Sequence, residues 1–446
     1  MKPLKIKSIL LGRQFPVSSG VRLQVAVIVI AAFWLLLPAI ALAAPSGKVV
    51  DVFTGKPIES AIVTLGKTIQ TTDASGQFFK SNGDNRIRVR AHGYLRAEQP
   101  FVPHQDIKLV PFSPKALYLS FYGIGDRGLR NSALGLIRNT ELNALVIDVK
   151  GDRGMINFKS SIPLAQEVGA QKLVIVKDMK GMLQTLKENG IYTIARIVTF
   201  KDPLLASKRP EWTVKNASGE TWYDREKLPW VDPFRKEVWE YNIQIAIEAA
   251  QYGFDEIQFD YVRFPDSTRV RFSQANTAEN RVKTVNGFLM EAKNRLAPYN
   301  VFMAADIFGY VHWNYNDTDI GQKLETLAPH LDYLSPMLYP SGFQFGIPGY
   351  RNPVAHPHEI VYLTLQKARE RTQLPSIRFR PWLQAFRDYA FDRRHFTGKE
   401  IKEQIEAVEK FGSNGWMLWN PRNVYNGEGL KKKDSHWTKS LTGEDS

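Results

Sequence analysis

The chain has 446 residues, a formal charge of +14 and no cysteine. That length exceeds one ordinary domain, and the missing cysteine excludes disulfides, thiolate metal sites and cysteine nucleophiles. Hydrophobic residues at 43% can fill a large core, and an aromatic content of 12% with 10 Trp leaves rings to spare as platforms for a ligand's flat apolar faces.

Lys2, Lys5, Lys7, Arg13 and Arg22 precede the apolar run Val25–Ile40, and Ala41-Leu42-Ala43 follows with small residues where a signal peptidase cuts. Residues 1–43 therefore read as an export signal, cleaved after Ala43 or Ala44. The rival reading is an uncleaved membrane anchor over residues 23–40. Against it, the run is shorter than the roughly 20 residues a spanning helix needs, and it contains Pro38. Export implies a periplasmic or extracellular protein, which argues against nucleic acid as a partner. A basic surface there favours acidic glycans, wall polymers or phospholipid, with plain solubility as the alternative.

Residues 46–110 read as a small β domain. Gly47–Asp51, Ala61–Leu65 and Arg86–Arg90 have strand patterns, the last alternating with period two. Thr54-Gly55-Lys56-Pro57 and Thr72-Asp73-Ala74-Ser75-Gly76 are turns. The order G-x-V-x-D, G-x-P-I-x-x-A-x-V-x-L, T-D-x-x-G-x-F resembles carboxypeptidase regulatory-like sandwiches, which implies an accessory module without chemistry. Prolines 103, 111 and 114 mark the passage to a linker over 111–115.

From residue 116 to 435 short apolar runs alternate with helical patterns. The runs are Ala116–Phe121, Ala144–Val149, Tyr192–Val198, Glu256–Tyr261, Val301–Phe308, Leu331–Tyr339, Arg378–Gln384 and Gly415–Trp419. Helical stretches include Pro233–Tyr252, opened by Asp232-Pro233, then Thr277–Ala297 and Ile401–Phe411. Eight such units fit a (β/α)8 TIM barrel, an α/β fold, behind the all-β sandwich. Residues 436–446 read as a flexible tail.

Barrel chemistry sits at the C-terminal ends of the strands. Those ends carry Asp148 and Lys150, Arg196, Asp260 and Arg263, Asp306, Tyr339, Trp382 and Gln384, and Trp419 and Asn420. An Asp inside an apolar strand is costly unless it has partners, and three of them converge on one rim. Each alone could be a cap or an ion-pair partner. Together, Asp260 and Asp306 on adjacent strands supply the two carboxyls that glycoside hydrolysis uses. Asp260 is expected as nucleophile or charge stabiliser and Asp306 as acid/base, with exchange of the roles left open. Asp148, Lys150, Arg196, Arg263, Tyr339, Trp382, Gln384, Trp419 and Asn420 are candidate substrate contacts. Arg263 would either hold Asp260 ionised or bind an acidic sugar group. The long insert Thr199–Val231 carries Trp212, Trp222 and Trp230 and reads as a wall over the site, with Trp222 and Trp230 as contacts.

Gly253-Phe254-Asp255-Glu256-Ile257-Gln258-Phe259-Asp260-Tyr261-Val262-Arg263-Phe264-Pro265 resembles the signature of a family of glycosyl hydrolase-like TIM barrels of unestablished function, itself similar to bacterial cell-wall glycosidases. Asp148-Val149-Lys150, Trp230-Val231-Asp232-Pro233, Ser335-Pro336-Met337-Leu338-Tyr339-Pro340 and Trp416-Met417-Leu418-Trp419-Asn420 fit it too, across residues 115–425. The resemblance implies the barrel and, more weakly, a hydrolase. Chitinases of the substrate-assisted type carry D-x-x-D-x-D-x-E on strand four. Aligned through Asp255 and Asp260, this chain has Gln258 and Val262 in place of an Asp and the Glu, which argues against that mechanism.

His356-Pro357-His358 lacks a third ligand at useful spacing, and Asp317-Thr318-Asp319 reads as a helix cap, so no metal is expected. No phosphate loop or nucleophile elbow is present, and no cofactor is expected. The sequence reading is an exported glycoside hydrolase acting on a wall or exopolysaccharide glycan. Its alternatives are a non-catalytic glycan-binding envelope protein and a transglycosylase. Sugar, linkage and oligomeric state are left open.

Overall fold

Alternating apolar residues build two small sheets ahead of the barrel. They are seen in a computed structural model that describes residues 47–66, 68–79 and 85–433; the expected export segment and the 436–446 tail lie outside the described residues. The strands are β1 (Gly47–Asp51), β2 (Ile62–Leu65), β3 (Thr68–Thr71), β4 (Gln77–Phe78), β5 (Arg86–Arg90), β6 (Ala97–Pro100) and β7 (Asp106–Leu109). They form sheets of order β4-β1-β7 and β3-β2-β5-β6. Val49, Val63, Phe78, Ile87, Val89 and Ile107 form the core between them. β5 follows its period-two pattern through Ile87 and Val89, but Arg90 breaks it and is only 3% exposed, since the strand's end meets the barrel.

The eight apolar runs are the eight barrel strands: β8 (Lys115–Leu119), β9 (Ala144–Lys150), β10 (Tyr192–Val198), β11 (Glu256–Asp260), β12 (Phe302–Ile307), β13 (Tyr333–Pro336), β14 (Trp382–Gln384) and β15 (Trp416–Trp419). All pair in parallel with their neighbours, and β15 returns to β8. The last seam is closed by a Met337–Trp382 bridge, with the Leu338 amide donating to the Trp382 carbonyl at 3.0 Å. Outward side chains such as Leu145, Ile197, Ile257 and Phe259 pack under the helices. Inward ones such as Ala144, Ile194, Phe302 and Tyr333 fill the barrel. Both faces are buried, which is why these strands read as unbroken apolar runs.

The helices Lys236–Tyr252, Ala278–Leu296 and Gly398–Phe411 match three expected stretches. Thr277 caps the second by accepting from the Asn280 amide at 3.2 Å. The first starts later than Asp232-Pro233 suggested. Buried Asp232 instead accepts from the amides of Phe234 at 2.9 Å and Ser273 at 2.7 Å, so it ties the preceding loop together. Asp317-Thr318-Asp319 is likewise a turn and not a helix cap: Thr318 and Asp319 have positive φ, and Asp317 pairs with Arg281 at 2.6 Å.

The sandwich sits against the N-terminal end of the barrel. The Gly93 amide donates to the Tyr333 hydroxyl at 3.0 Å. Arg96 reaches Asp255 at 3.0 Å and the Gly253 carbonyl at 2.8 Å. The catalytic rim expected at the opposite end is therefore left uncovered by the sandwich.

Candidate active site

Inward positions on four neighbouring strands bring four charged side chains to one point. Asp148 lies near the end of β9, Arg196 lies on β10, Asp260 ends β11 and Asp306 lies on β12. Arg196 is the centre. Its Nη1 donates to Asp148 Oδ1 at 2.6 Å and its Nε to Asp260 Oδ2 at 3.0 Å; Nη2 also bonds Asp260. Asp306 Oδ2 lies 3.9 Å from Nε. Three carboxyls around one guanidinium satisfy the fork that only arginine offers. Burial works against the Arg196 charge, but Asp148 and Asp260 outweigh it and hold the group well above its ordinary value.

The carboxyls differ in environment. Asp306 has a side chain 1% exposed and accepts from the Trp382 indole at 2.7 Å. Burial first, and then the Asp260 charge, push its pKa well above the usual range. Both causes favour its neutral form. Asp260 accepts from the Tyr261 amide at 2.6 Å as well as from Arg196. Asp148 accepts from the Tyr118 hydroxyl at 2.7 Å and the Phe121 amide at 3.3 Å. Its pKa is raised by burial, against the pull of Arg196.

A cleft of about 260 Å³ opens above this cluster, with Tyr118, Asp148, Arg196, Tyr261 and Trp419 in its lining. Trp419 stacks on Tyr118 with ring centres 4.0 Å apart, and Arg196 lies under Trp419 at 4.9 Å. Trp382 closes the group edge-on at 5.4 Å from Trp419. Tyr261 holds φ of 50°, a left-handed conformation that is unusual for a bulky residue and characteristic of functional sites.

Of the expected contacts, Asp148, Arg196 and Trp419 line the cleft, and Asp260, Asp306 and Trp382 lie directly beneath or beside it. Tyr339 is close enough for the charges of Asp306 and Asp260 to raise its pKa, after burial itself. Trp230 is 3% exposed and meets Tyr261 edge-on at 5.5 Å, so it props the cleft wall without lining it. Arg263 stands over both rings, 5.1 Å from Trp230 and 5.2 Å from Tyr261. It makes no ion pair with Asp260 among the described residues.

Four other residues serve as supports. Trp222 packs half-buried on the core. Gln384 is fully buried and spends its amide on Ser341 at 2.7 Å and the Phe386 carbonyl at 3.2 Å. Asn420 bonds the carbonyls of Ala385 and Val424. Lys150 is turned out of the barrel. A bulge lets Arg196 pair with Asp148 and the next residue, Ile197, pair with Lys150, so Lys150 follows the outward face and meets Asp202 at 2.7 Å with both side chains fully buried.

The reading of strand ends missed Tyr118 and Tyr261. Tyr118 was legible, because period-two alternation along β8 turns Ala116 and Tyr118 inward together. The left-handed twist that turns Tyr261 into the cleft has no sequence signal, since tyrosine rarely adopts it.

Residues 116–425 match the family model described as "Putative glycosyl hydrolase domain". The chain belongs to this family, and its barrel is a glycosyl hydrolase-type domain. Among solved structures it is similar to a hypothetical protein from Ruminiclostridium thermocellum, at 39% identity over 43% of this chain and 96% of that one, with a TM-score of 0.38. It is also similar to the PgaB (BpsB) glycoside hydrolase domain from Bordetella bronchiseptica, at 13% identity over 70% and 95%, TM-score 0.47. A third is the spore cortex-lytic enzyme SleL from Bacillus megaterium, at 13% identity over 75% and 76%, TM-score 0.41. No curated protein matches the chain.

Proposed function

We propose that this protein is an exported glycoside hydrolase that cuts a wall or exopolysaccharide glycan, with Asp260 and Asp306 as its catalytic pair. The observation that carries the reading is the gathering of Asp260 and Asp306 around one buried Arg196, at 3.0 and 3.9 Å from its Nε, beside a cleft lined by aromatic rings. The basic N-terminal residues followed by Val25–Ile40 support export, to the periplasm or the cell exterior, with membrane attachment through residues 23–40 if the segment is retained.

Asp260 Oδ2 and Asp306 Oδ2 lie 3.0 and 3.9 Å from the same Arg196 Nε. The two groups therefore work from one side as a unit that shares a proton. Asp260 is the more exposed member and meets the sugar; Asp306 holds the proton behind it. Protonation of the leaving oxygen draws on that proton. The negative charge left on the pair then faces the oxocarbenium-like sugar and is spread by Arg196; water adds to the sugar carbon, and the proton it releases returns to the pair. Asp148, on the other side of the guanidinium, holds Arg196 in place and offers a substrate contact.

Asp260→Asn should abolish release of reducing ends from envelope polysaccharide while leaving glycan binding measurable by calorimetry. A second reading, a glycan-binding protein without turnover, is favoured by the close pairing of Arg196 with the acids, which quiets their charge. It gains if the wild type releases no reducing ends and binds as tightly as the Asp260→Asn variant.

A further inference from the structure

We infer that the cleft takes the interior of a glycan chain, with sugar-binding positions on both sides of Asp260, so that cleavage is endo. The inference rests on the hydrolase reading above and adds the form of its substrate. On one side, the cleft runs past Ser120, Tyr122 and Pro421 into a second, open depression of about 630 Å³. Those three residues line both spaces, so the two adjoin along them. Tyr122 stands at their junction, 55% exposed, with its ring fixed edge-on to Phe121 at 5.0 Å. Arg422 and Asp126 continue the far lining.

On the other side of β11 in sheet order, past β12, a chain of aromatic rings follows β13 and β14. Tyr339 lies within reach of the Asp306 and Asp260 charges. Its ring meets Phe386 at 5.5 Å. Phe386 lies parallel to Tyr389, with an interplanar angle of 7° and centres 6.2 Å apart. Tyr389 is 47% exposed. The turn that carries these rings is locked by buried Asp388, which accepts from the Ser341 hydroxyl at 2.7 Å and from the amides of Ala390, Phe391 and Arg393. A turn fixed before binding presents its rings at little entropic cost.

Exposed rings on both flanks of the carboxyls suit successive pyranose units, each of which has an apolar face. An enzyme that removes end sugars needs a wall on one side of the bond it cuts. Here one flank continues as an open depression and the other as a line of rings, and the occupant that fills both is an unbranched stretch of polysaccharide.

The test uses three oligosaccharide ladders, from cellulose, alginate and peptidoglycan glycan strands, each with and without a chemical block at the non-reducing end. The full-length protein should cut blocked and unblocked chains alike at internal bonds, seen as mid-length products by mass spectrometry. Tyr122→Ala and Tyr389→Ala should each raise KM for the longest oligomers about tenfold. Phe53→Ala, on the sandwich and 73% exposed, should leave the length dependence as it is. Release of terminal sugars only, with blocked chains uncut, overturns the inference and keeps the hydrolase. If nothing is cut, the hydrolase reading falls, and binding to Asp260→Asn decides the groove. Affinity that climbs with chain length and drops in the Tyr122 and Tyr389 variants supports a two-sided groove; affinity that stops rising at two sugars overturns it.

Discussion

At the scale of single residues, the pair Asp260–Asp306 shows how burial sets protonation. Two neighbouring carboxyls cannot both ionise cheaply. Arg196 donates to the outer one, while burial and the neighbouring carboxylate favour the neutral form of Asp306. Activity that needs the Asp306 proton declines as pH climbs through the raised Asp306 value, giving an alkaline limb to kcat/KM. Asp306→Asn keeps a donor toward Asp260 but has no proton to transfer. Its kcat should fall by about 10²–10⁴, with that alkaline limb gone and binding retained. A variant that keeps the wild-type rate would make Asp306 only a prop. The same shift bears on stability. Above the ordinary Asp value the folded state holds a proton that the unfolded chain has released, so stability declines as pH rises toward the folded pKa. Asp306→Asn should flatten that slope in denaturant titrations.

At the scale of elements, strand pairing decides which polar residue reaches the site. Position in sequence assigned Lys150 to the rim beside Asp148, two residues earlier in β9. The bulge opposite Arg196 and Ile197 switches it to the outer face, where Asp202 and the Tyr241 ring receive it. Lys150→Met should therefore leave KM for glycan unaltered and lower stability by about 3–5 kcal/mol, because Asp202 is left as a buried unpaired charge. Chemical unfolding and initial-rate kinetics separate the two outcomes. The contrast explains what the sequence disclosed. All eight barrel strands were legible because both their faces are buried, and the three Asp stood out because apolar strands rarely end in acids. A bulge leaves no mark in residue types, so the direction of Lys150 was hidden. The roles of Gln384 and Asn420 were hidden for a related reason: their partners, Ser341 and Ala385, lie in the connections after β13 and β14, whose path the sequence does not fix.

At the scale of the whole molecule, the signature around strand four turns out to serve both ends of the barrel. Its later half delivers Asp260 and Tyr261 to the cleft. Its first half, Gly253 and Asp255, receives Arg96 from the sandwich. Asp255 also accepts from the Thr193 amide at 2.9 Å, so the sandwich contact is tied into β10 and β11. Nearby, Arg90 first and also Lys293 outweigh burial and hold the Asp332 pKa below its ordinary value, while burial pushes His92 down to about 4, so that it is neutral there at neutral pH. Sandwich residues thus complete the charge balance of the barrel's N-terminal end. The reading of the small domain as an accessory without chemistry said nothing of this dependence. Arg96 spends three guanidinium nitrogens across the junction, including one on the Asn300 carbonyl at 3.4 Å, and Arg96→Ala leaves Asp255 without its cation. The loss should be about 1.5–3 kcal/mol. Because the sandwich and barrel share this buried junction, calorimetry of the wild type should show one cooperative transition. The Arg96→Ala variant should move that transition down without splitting it; two separate transitions in the wild type would mean that the sandwich folds and unfolds independently of the barrel.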